Sequence, residues 1–313
     1  MKAVVYSKKS ASSGMRLEEV EKPSPATGQV LVKIHTVSLN AADYRSMQMG
    51  IGPKSGIFGA DIAGRIETVG PEVKKFKVGD EVFGDLSGCG FGGLAEYVAA
   101  PENLLAAKAE SVSYEDAAAV PMASLTALQA LRDKGRIKSG HRVLIVGASG
   151  GVGLFALQLA KHFGAHVTAV CSSKRTELVS SLGADSILDY TKNELSSLPG
   201  NFDVILAING NYSIFTYKKL LTPGGSCVIV GGALSQIFRF FLLGPFLSIG
   251  SRKIRFLAGK ASTEDLEFVM RLVEEGRIRP VIDKRYSLQE AGEAFEYLKA
   301  GHAGGKVVIN VIS

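Results

Sequence analysis

The sequence predicts an α/β protein: a doubly wound parallel sheet accompanied by a second, β-rich domain. Three observations carry this reading. From Ser124 onward, short apolar runs alternate with stretches of helical period, the pattern of a parallel sheet covered on both faces. The first of those runs, "VLIVGASGGVG" (143–153), ends in four glycines among seven residues, as a strand does when it turns sharply into a helix. Residues 1–122, by contrast, read as short strands between glycine turns. The expected organisation is a β-rich domain from 1–122 and 260–313, with the parallel-sheet domain at 123–259 between its two parts.

Taken in order, "MKAVVYSKKS" is a strand and a turn, and "VLVKIHTVSLN" alternates apolar and polar positions as a half-buried strand does. "GRIETVG", "GDEVFGD" and "GGLAEYVAA" are short strands bounded by glycine. Then come "RVLIVG", the helix "VGLFALQLAKHFG", the strand "HVTAVC", the helix "RTELVSSLG", and the strands "FDVILAI", "GGSCVIVGG" and "KIRFLAG". Val152, Phe155, Ala156, Leu159 and Phe163 share one face of the first helix, ready to pack on a sheet. "STEDLEFVMRLVEEG" opens on a capping signal at Ser262 or Thr263 and stops at a glycine. "EAGEAFEYLKAG" is a further helix, and "GKVVINV" is a last strand suited to rejoining the N-terminal domain.

With 313 residues the chain fits two domains of ordinary size, and its 46% apolar and 21% charged residues are those of a globular protein. The net charge of +6 is scattered, densest at "SKRTE" and "SRKIR", and forms no patch, so no nucleic-acid partner is expected. Cys89, Cys171 and Cys227 lie far apart, with neither metal-ligand spacing nor a disulfide framework. The start lacks the apolar stretch of a secretory signal. The longest apolar segment, "IFRFFLLGPFLSIG" (237–250), is too short to span a bilayer and is interrupted by Arg239, Gly244 and Pro245. The expected location is the cytoplasm, with association to an organelle left open, and the apolar segment is assigned to a dimer contact or a substrate pocket, with a membrane-surface contact as the alternative.

The glycine turn suggests the chemistry. Ala148, Gly150 and Gly153 occupy the three glycine places of the dinucleotide fingerprint, and Gly147 and Gly151 widen the space around them. Such a turn lets amides approach a pyrophosphate, and the helix that follows adds partial positive charge. Ser149, Gly150, Gly151 and Val152 are therefore the expected phosphate contacts of a Rossmann sheet. An NAD site wants an acid about 20 residues further on, at the end of the second strand. Here that strand ends "AVCSSKRTE", with Ser172, Ser173, Lys174 and Arg175 in the place and no carboxylate before Glu177. Hydroxyls beside two cations suit a ribose 2′-phosphate, so the expected cofactor is NADPH. A solvated helix start is the plainer reading of Lys174 and Arg175.

Read with these residues, the chain resembles the medium-chain dehydrogenase/reductase superfamily, and within it the zinc-free quinone oxidoreductase branch. The resemblance rests on "SLNAADYR" (38–45), "GADIAGRIETVG" (59–70), "VGDEVFG" (78–84), "GGLAEYV" (92–98), "VPMASLTALQAL" (120–131), "GASGGVG" (147–153), "SLGADSILDY" (181–190) and "GHAGGKVVI" (301–309). "DLEFVMRLVEEGRIRPVID" is most similar to the chloroplast-envelope quinone-reductase-like group and its mitochondrial relatives. The resemblance implies a β-rich GroES-like catalytic domain beside the Rossmann domain. Zinc-dependent members carry a cysteine in the first loop, a "GHE" after it and a four-cysteine lobe. This chain has Asn40 to Asp43 without a cysteine, "GAD" at 59–61 and no lobe, and none of its five histidines sits at a family ligand position. Metal-independent hydride transfer to an electron-poor acceptor, a quinone or an enone, is what remains.

By the same resemblance, Asn40 and the triplet containing Tyr44 and Arg45 face the nicotinamide and the acceptor, and Tyr44 or Arg45 stabilises the developing oxyanion. Packing for Tyr44, and a pairing of Arg45 with Asp61 or Asp43, are the structural readings of the same two residues. Thr126 contacts the nicotinamide ribose, and Tyr190 stacks on the adenine or is an ordinary edge tyrosine. Asn209, Gly210, Val230 and Gly231 close the fourth and fifth strands, at the ends where parallel sheets bind ligands. Relatives often carry an arginine in "GHARGK"; Gly304 takes that place, leaving Lys306 as the nearest cation for a phosphate. The strand at 253–259 is expected to pair with its two-fold mate in a homodimer. The competing function is a non-catalytic or moonlighting NADPH binder acting through protein, RNA or membrane partners.

Overall fold

The computed structural model describes residues 1–7, 14–210, 212–231 and 250–312. These form two compact units, Met1–Ala123 with Ala261–Ser313, and Ser124–Lys260. Apart from Gly250, the apolar segment at 237–250 lies outside the described residues, and with it the roles expected for that segment.

The first unit begins with a two-stranded ribbon, β1 (Lys2–Tyr6) and β2 (Met15–Glu19). Its main sheet is organised by β3 (Gln29–Leu39), whose alternating residues are fully buried at Val30, Val32 and Ile34. Between β3 and β4 (Asp61–Val69) comes a helix, α1 (Ala41–Met49). β5 (Glu81–Asp85), β6 (Tyr97–Pro101), β7 (Leu105–Ala107) and α2 (Tyr114–Ala119) follow. α3 (Pro121–Gln129) starts on a proline, whose missing N–H costs a first turn nothing.

The second unit is a six-stranded parallel sheet built from β8 (Arg142–Val146), β9 (His166–Cys171), β10 (Ser186–Asp189), β11 (Phe202–Ala207), β12 (Leu221–Ile229) and β13 (Lys253–Phe256). Its strand order is β10-β9-β8-β11-β12-β13, the doubly wound order with a switch point between β8 and β11. The connecting helices are α4 (Gly151–His162), α5 (Thr176–Ser181) and α6 (Ile214–Leu220). α4 buries Phe155, Ala156 and Leu159. Leu144, Val170, Ile205 and Cys227 fill one face of the sheet against Ile214 and Tyr217 of α6. β13, which stands at one edge, stops at Phe256 rather than running to 259, because β12 ends at Ile229 and supplies only one more carbonyl, to Leu257 N.

The chain then returns to the first unit through α7 (Thr263–Glu274), capped by Ser262, whose hydroxyl accepts from Asp265 N. β14 (Ile282–Ser287), α8 (Ala291–Lys299) and β15 (Lys306–Asn310) complete it. β15 pairs antiparallel with β3, Val307 opposite Leu39, and parallel with β14. The first unit's sheet therefore runs β14-β15-β3-β4-β5-β7, with β6 also on β3.

Candidate functional site

The carboxyl edge of the parallel sheet gathers most of the sequence-predicted nucleotide residues. Gly147 leaves β8 with φ at +88°, a conformation that favours glycine, and its N–H and that of Ala148 both donate to Val170 O of the adjacent strand. The turn then passes through Ser149 to Gly150, which caps α4. A Cβ on Gly153 would lie 2.2 Å from Gly147 O, so only glycine lets the helix sit this close to the strand. A Cβ on Gly150 would meet no atom nearer than Gly147 O at 3.7 Å. The first glycine seals helix to strand; the second leaves room above the amides that open α4. A twelve-residue helix beginning under such a gap is a fitting seat for a pyrophosphate.

Next to this turn, Asn209 approaches Gly147 within 3.0 Å of where a Cβ would stand, and Asn209 N donates to Val146 O. Val230 N donates to Ala207 O, placing Val230 and Gly231 beyond the end of β12. Ser172 to Arg175 leave β9 in a short 3-10 turn in which Lys174 is exposed and Arg175 half-buried. Tyr190, just past β10, is 53% exposed. Thr126, on α3, is half-buried, near the place a Cβ of Gly259 would take.

One partner at this edge escaped the sequence reading. β10 lies beside β9 with Asp189 opposite Cys171, which brings a carboxylate to the turn where the second strand offers none. Ser173 Oγ donates to Asp189 Oδ2, and Thr191 Oγ1 and Thr191 N donate to Asp189 Oδ1 at 2.7 and 2.9 Å. Those hydroxyl bonds, Ser173's foremost, hold the Asp189 carboxyl down at about 2, so it is charged at neutral pH. The signal was present as the "LDYT" that ends the third strand, but it is visible only when strand order is known.

In the first unit the predicted residues have a different setting. Asn40 caps α1, where Asp43 Oδ2 accepts from Asn40 N at 2.8 Å, and Asp43 Oδ1 accepts from Gly59 N at 3.2 Å. The Asn40 carboxamide turns inward: its oxygen accepts from Lys306 Nζ at 2.6 Å and its nitrogen donates to Asp61 Oδ2 at 2.8 Å. Asp61 Oδ1 accepts from Met122 N at 3.1 Å, and Lys306 Nζ stands 3.4 Å from Asp61 Oδ2. Asp43 and Asp61 are fully buried, and burial lifts each carboxyl to about 7 against the pull of the Lys306 ammonium.

Lys306 is only 3% exposed, and its ammonium is engaged by Asn40 and Asp61. The Asn40 amide is bonded in turn to Lys306 and Asp61. Tyr44 packs partly against the first unit's apolar core, and the Arg45 guanidinium lies 5.9 Å from the Tyr44 ring centre. Asp61 is paired with Lys306, as the "GAD" stretch alone could not reveal. Among the described residues no three His, Cys, Asp or Glu side chains converge as metal ligands.

Comparison with known proteins now adds to this geometry. Residues 26–110 match the family described as the alcohol dehydrogenase GroES-like domain, and residues 182–309 the family described as zinc-binding dehydrogenase. A chloroplast envelope quinone oxidoreductase homolog of Arabidopsis thaliana is 34% identical over 95% of this chain and 94% of its own length. An NADPH-dependent alkenal/one oxidoreductase of chloroplasts, also from Arabidopsis thaliana, is 34% identical over 99% of this chain and 79% of its own. Among solved structures, the quinone oxidoreductase from Coxiella burnetii superposes with a TM-score of 0.91 at 29% identity, covering 100% of this chain and 99% of that one.

Proposed function

Because the chain belongs to the medium-chain dehydrogenase/reductase superfamily, in its quinone oxidoreductase branch, we propose that it transfers hydride from NADPH to a quinone or an α,β-unsaturated carbonyl without a catalytic metal. The observation that carries this reading is the glycine turn, whose Gly153 seals α4 to β8 while Gly150 leaves the helix amides uncovered. Ser149, Gly150, Gly151 and Val152 would hold the pyrophosphate, and Asn209, Gly210, Val230 and Gly231 would border it. Tyr190 would cover the adenine, Thr126 would contact the nicotinamide ribose, and Lys174 and Arg175 would hold the 2′-phosphate.

When bound, the nicotinamide supplies the hydride, so the chain's own groups need only bind, orient and stabilise charge. Tyr44 and Arg45 are the proposed donors to the acceptor's developing oxyanion. Asn40, fixed between Lys306 and Asp61, is proposed to position the start of α1 that carries them. The edge strand β13 supports a homodimer joined sheet to sheet, which light scattering at micromolar concentration would reveal. No helix among the described residues is long and apolar enough to cross a membrane. With relatives named as chloroplast proteins, residence in an organelle is as well supported for this chain as residence in the cytoplasm.

The test is a titration of NADPH fluorescence with purified protein, followed by a screen of quinones, alkenals and enones. Saturable binding with turnover of one acceptor class, insensitive to chelator, is the expected result. Binding without turnover of any acceptor would favour the non-catalytic alternative, and activity lost to chelator and restored by zinc would overturn the metal-free mechanism.

A further inference from the structure

The turn that carries Lys174 and Arg175 also carries a hydroxyl whose proton has already been claimed. An ionised carboxylate only accepts, so in the contact between Ser173 and Asp189 the single O–H of Ser173 must be the donor. Thr191 is held the same way, its hydroxyl and amide both directed at Asp189 Oδ1. Lys192 Nζ stands 3.7 Å from Asp189 Oδ2 and balances part of the charge. Ser173 is exposed, and what its oxygen can offer an incoming group is lone pairs. A ribose 2′-hydroxyl can donate to those lone pairs. A 2′-phosphate cannot: it meets an acceptor, with a carboxylate charge behind it.

We propose that Asp189 is a cofactor-selectivity residue: by taking the Ser173 proton it makes that side chain an acceptor, which favours the ribose 2′-hydroxyl of NADH and opposes the 2′-phosphate of NADPH. This rests on the reading that the dinucleotide lies along the carboxyl edge of the parallel sheet. Lys174 and Arg175 pull toward the phosphate and Asp189 pulls against it, so the protein's preference for NADPH is the difference of two opposed contributions. The acid that selects for NADH at the end of a second strand is here supplied by the third, acting through an intermediate hydroxyl.

The experiment compares NADPH and NADH binding by fluorescence titration for the wild type, Asp189→Asn, Ser173→Ala and the double variant. 2′,5′-ADP and 5′-ADP serve as competitors that report on the adenosine end alone. Asp189→Asn frees the Ser173 proton for the phosphate, and one charge-assisted bond gained should raise the NADPH-to-NADH affinity ratio about tenfold. Ser173→Ala, at an exposed position that folding tolerates, should raise the ratio by a smaller factor, and in that background Asp189→Asn should add little. A ratio unchanged in Asp189→Asn, while the wild type binds both nucleotides, would overturn the proposal. So would an equal gain with and without Ser173, which would mean that the carboxylate acts by charge alone. A wild type that binds neither nucleotide nor either ADP would overturn the parent reading along with it.

Discussion

At the carboxyl edge of the parallel sheet, Gly150 leaves helix amides under open space and Lys174 stands exposed. In the other unit, Asp43, Asp61 and Lys306 are buried and bonded to Asn40, to backbone amides and to one another. Both regions are rich in polar groups, and both were singled out from sequence as functional. The difference lies in where the hydrogen bonds go. A ligand-binding edge keeps donors that the fold has not used, whereas a buried cluster must satisfy its own members or destabilise the protein. The sequence motifs around Asn40 and Lys306 therefore describe a scaffold as much as a site.

The sharpest way to break this contrast is Lys306→Met. If the cluster is a scaffold, removing the ammonium leaves Asn40 Oδ1 without its buried donor and Asp61 to take a proton, and costs about 1–3 kcal/mol of folding stability, read by urea denaturation. Nucleotide affinity, measured on the folded fraction, should change less than twofold, on the order of 0.4 kcal/mol. The opposite pattern, intact stability with weakened binding of both nucleotides, would make Lys306 a phosphate contact.

Two glycines of the turn separate packing from binding. Gly153→Ala drives a Cβ against Gly147 O and should cost about 1–3 kcal/mol of stability as helix and strand are forced apart. Gly150→Ala meets nothing closer than 3.7 Å and should leave the unfolding midpoint nearly unchanged, yet weaken NADPH binding by filling the gap over the amides. Equal losses of stability in both variants would show that no such gap exists. At the adjoining turn, replacing Lys174 and Arg175 together with alanine removes two charged contacts worth about 1.5–3 kcal/mol each. NADPH affinity should fall by well over tenfold (about 1.4 kcal/mol per decade) while NADH affinity stays level. An unchanged NADPH-to-NADH ratio would remove 2′-phosphate recognition from this turn.

The smallest effect is one of slope. Burial lifts the Asp61 carboxyl to about 7, with Lys306 pulling it down and Asp85 pushing it up, and Asp43 is raised likewise beside it. A raised carboxyl contributes stability that is fully present below about pH 4 and is lost as pH rises through its folded value. The stability gap between wild type and Asp61→Asn should therefore narrow between pH 5 and pH 8, as followed by denaturation at both. A gap that widened would mean that the pairing with Lys306 outweighs burial.

Much of this was legible in the sequence because apolar periodicity reports directly on which residues face a core. "RVLIVG", "HVTAVC" and "FDVILAI" became β8, β9 and β11, and "GKVVINV" became the strand that rejoins β3. α1 was not among the expected elements, because "AADYRSMQM" has no apolar stripe for periodicity to find. Its start is marked instead by Asn40 and Asp43 in capping positions, a signal that periodicity ignores. The site was less legible for a different reason. Which donors are left over depends on contacts between residues far apart in the chain: Lys306 reaches Asn40 across 266 positions and Ser173 reaches Asp189 across 16. Residue type at a motif position said that a hydroxyl stood beside two cations, but not which way its proton pointed.

The return of β15 to β3 has a consequence for how the protein is made. The parallel-sheet unit occupies one unbroken stretch, Ser124–Lys260, and can assemble as soon as that stretch leaves the ribosome. The first unit begins synthesis earlier yet must finish later, because its sheet lacks the strand between β3 and β14 until residues 306–310 emerge. Until then Asp61 also lacks the ammonium that Lys306 brings. The nascent chain thus carries an unfinished sheet with an open β3 edge while its parallel-sheet unit can already fold, and residues 306–310 both close that edge and bring Lys306 to the acid buried beside it.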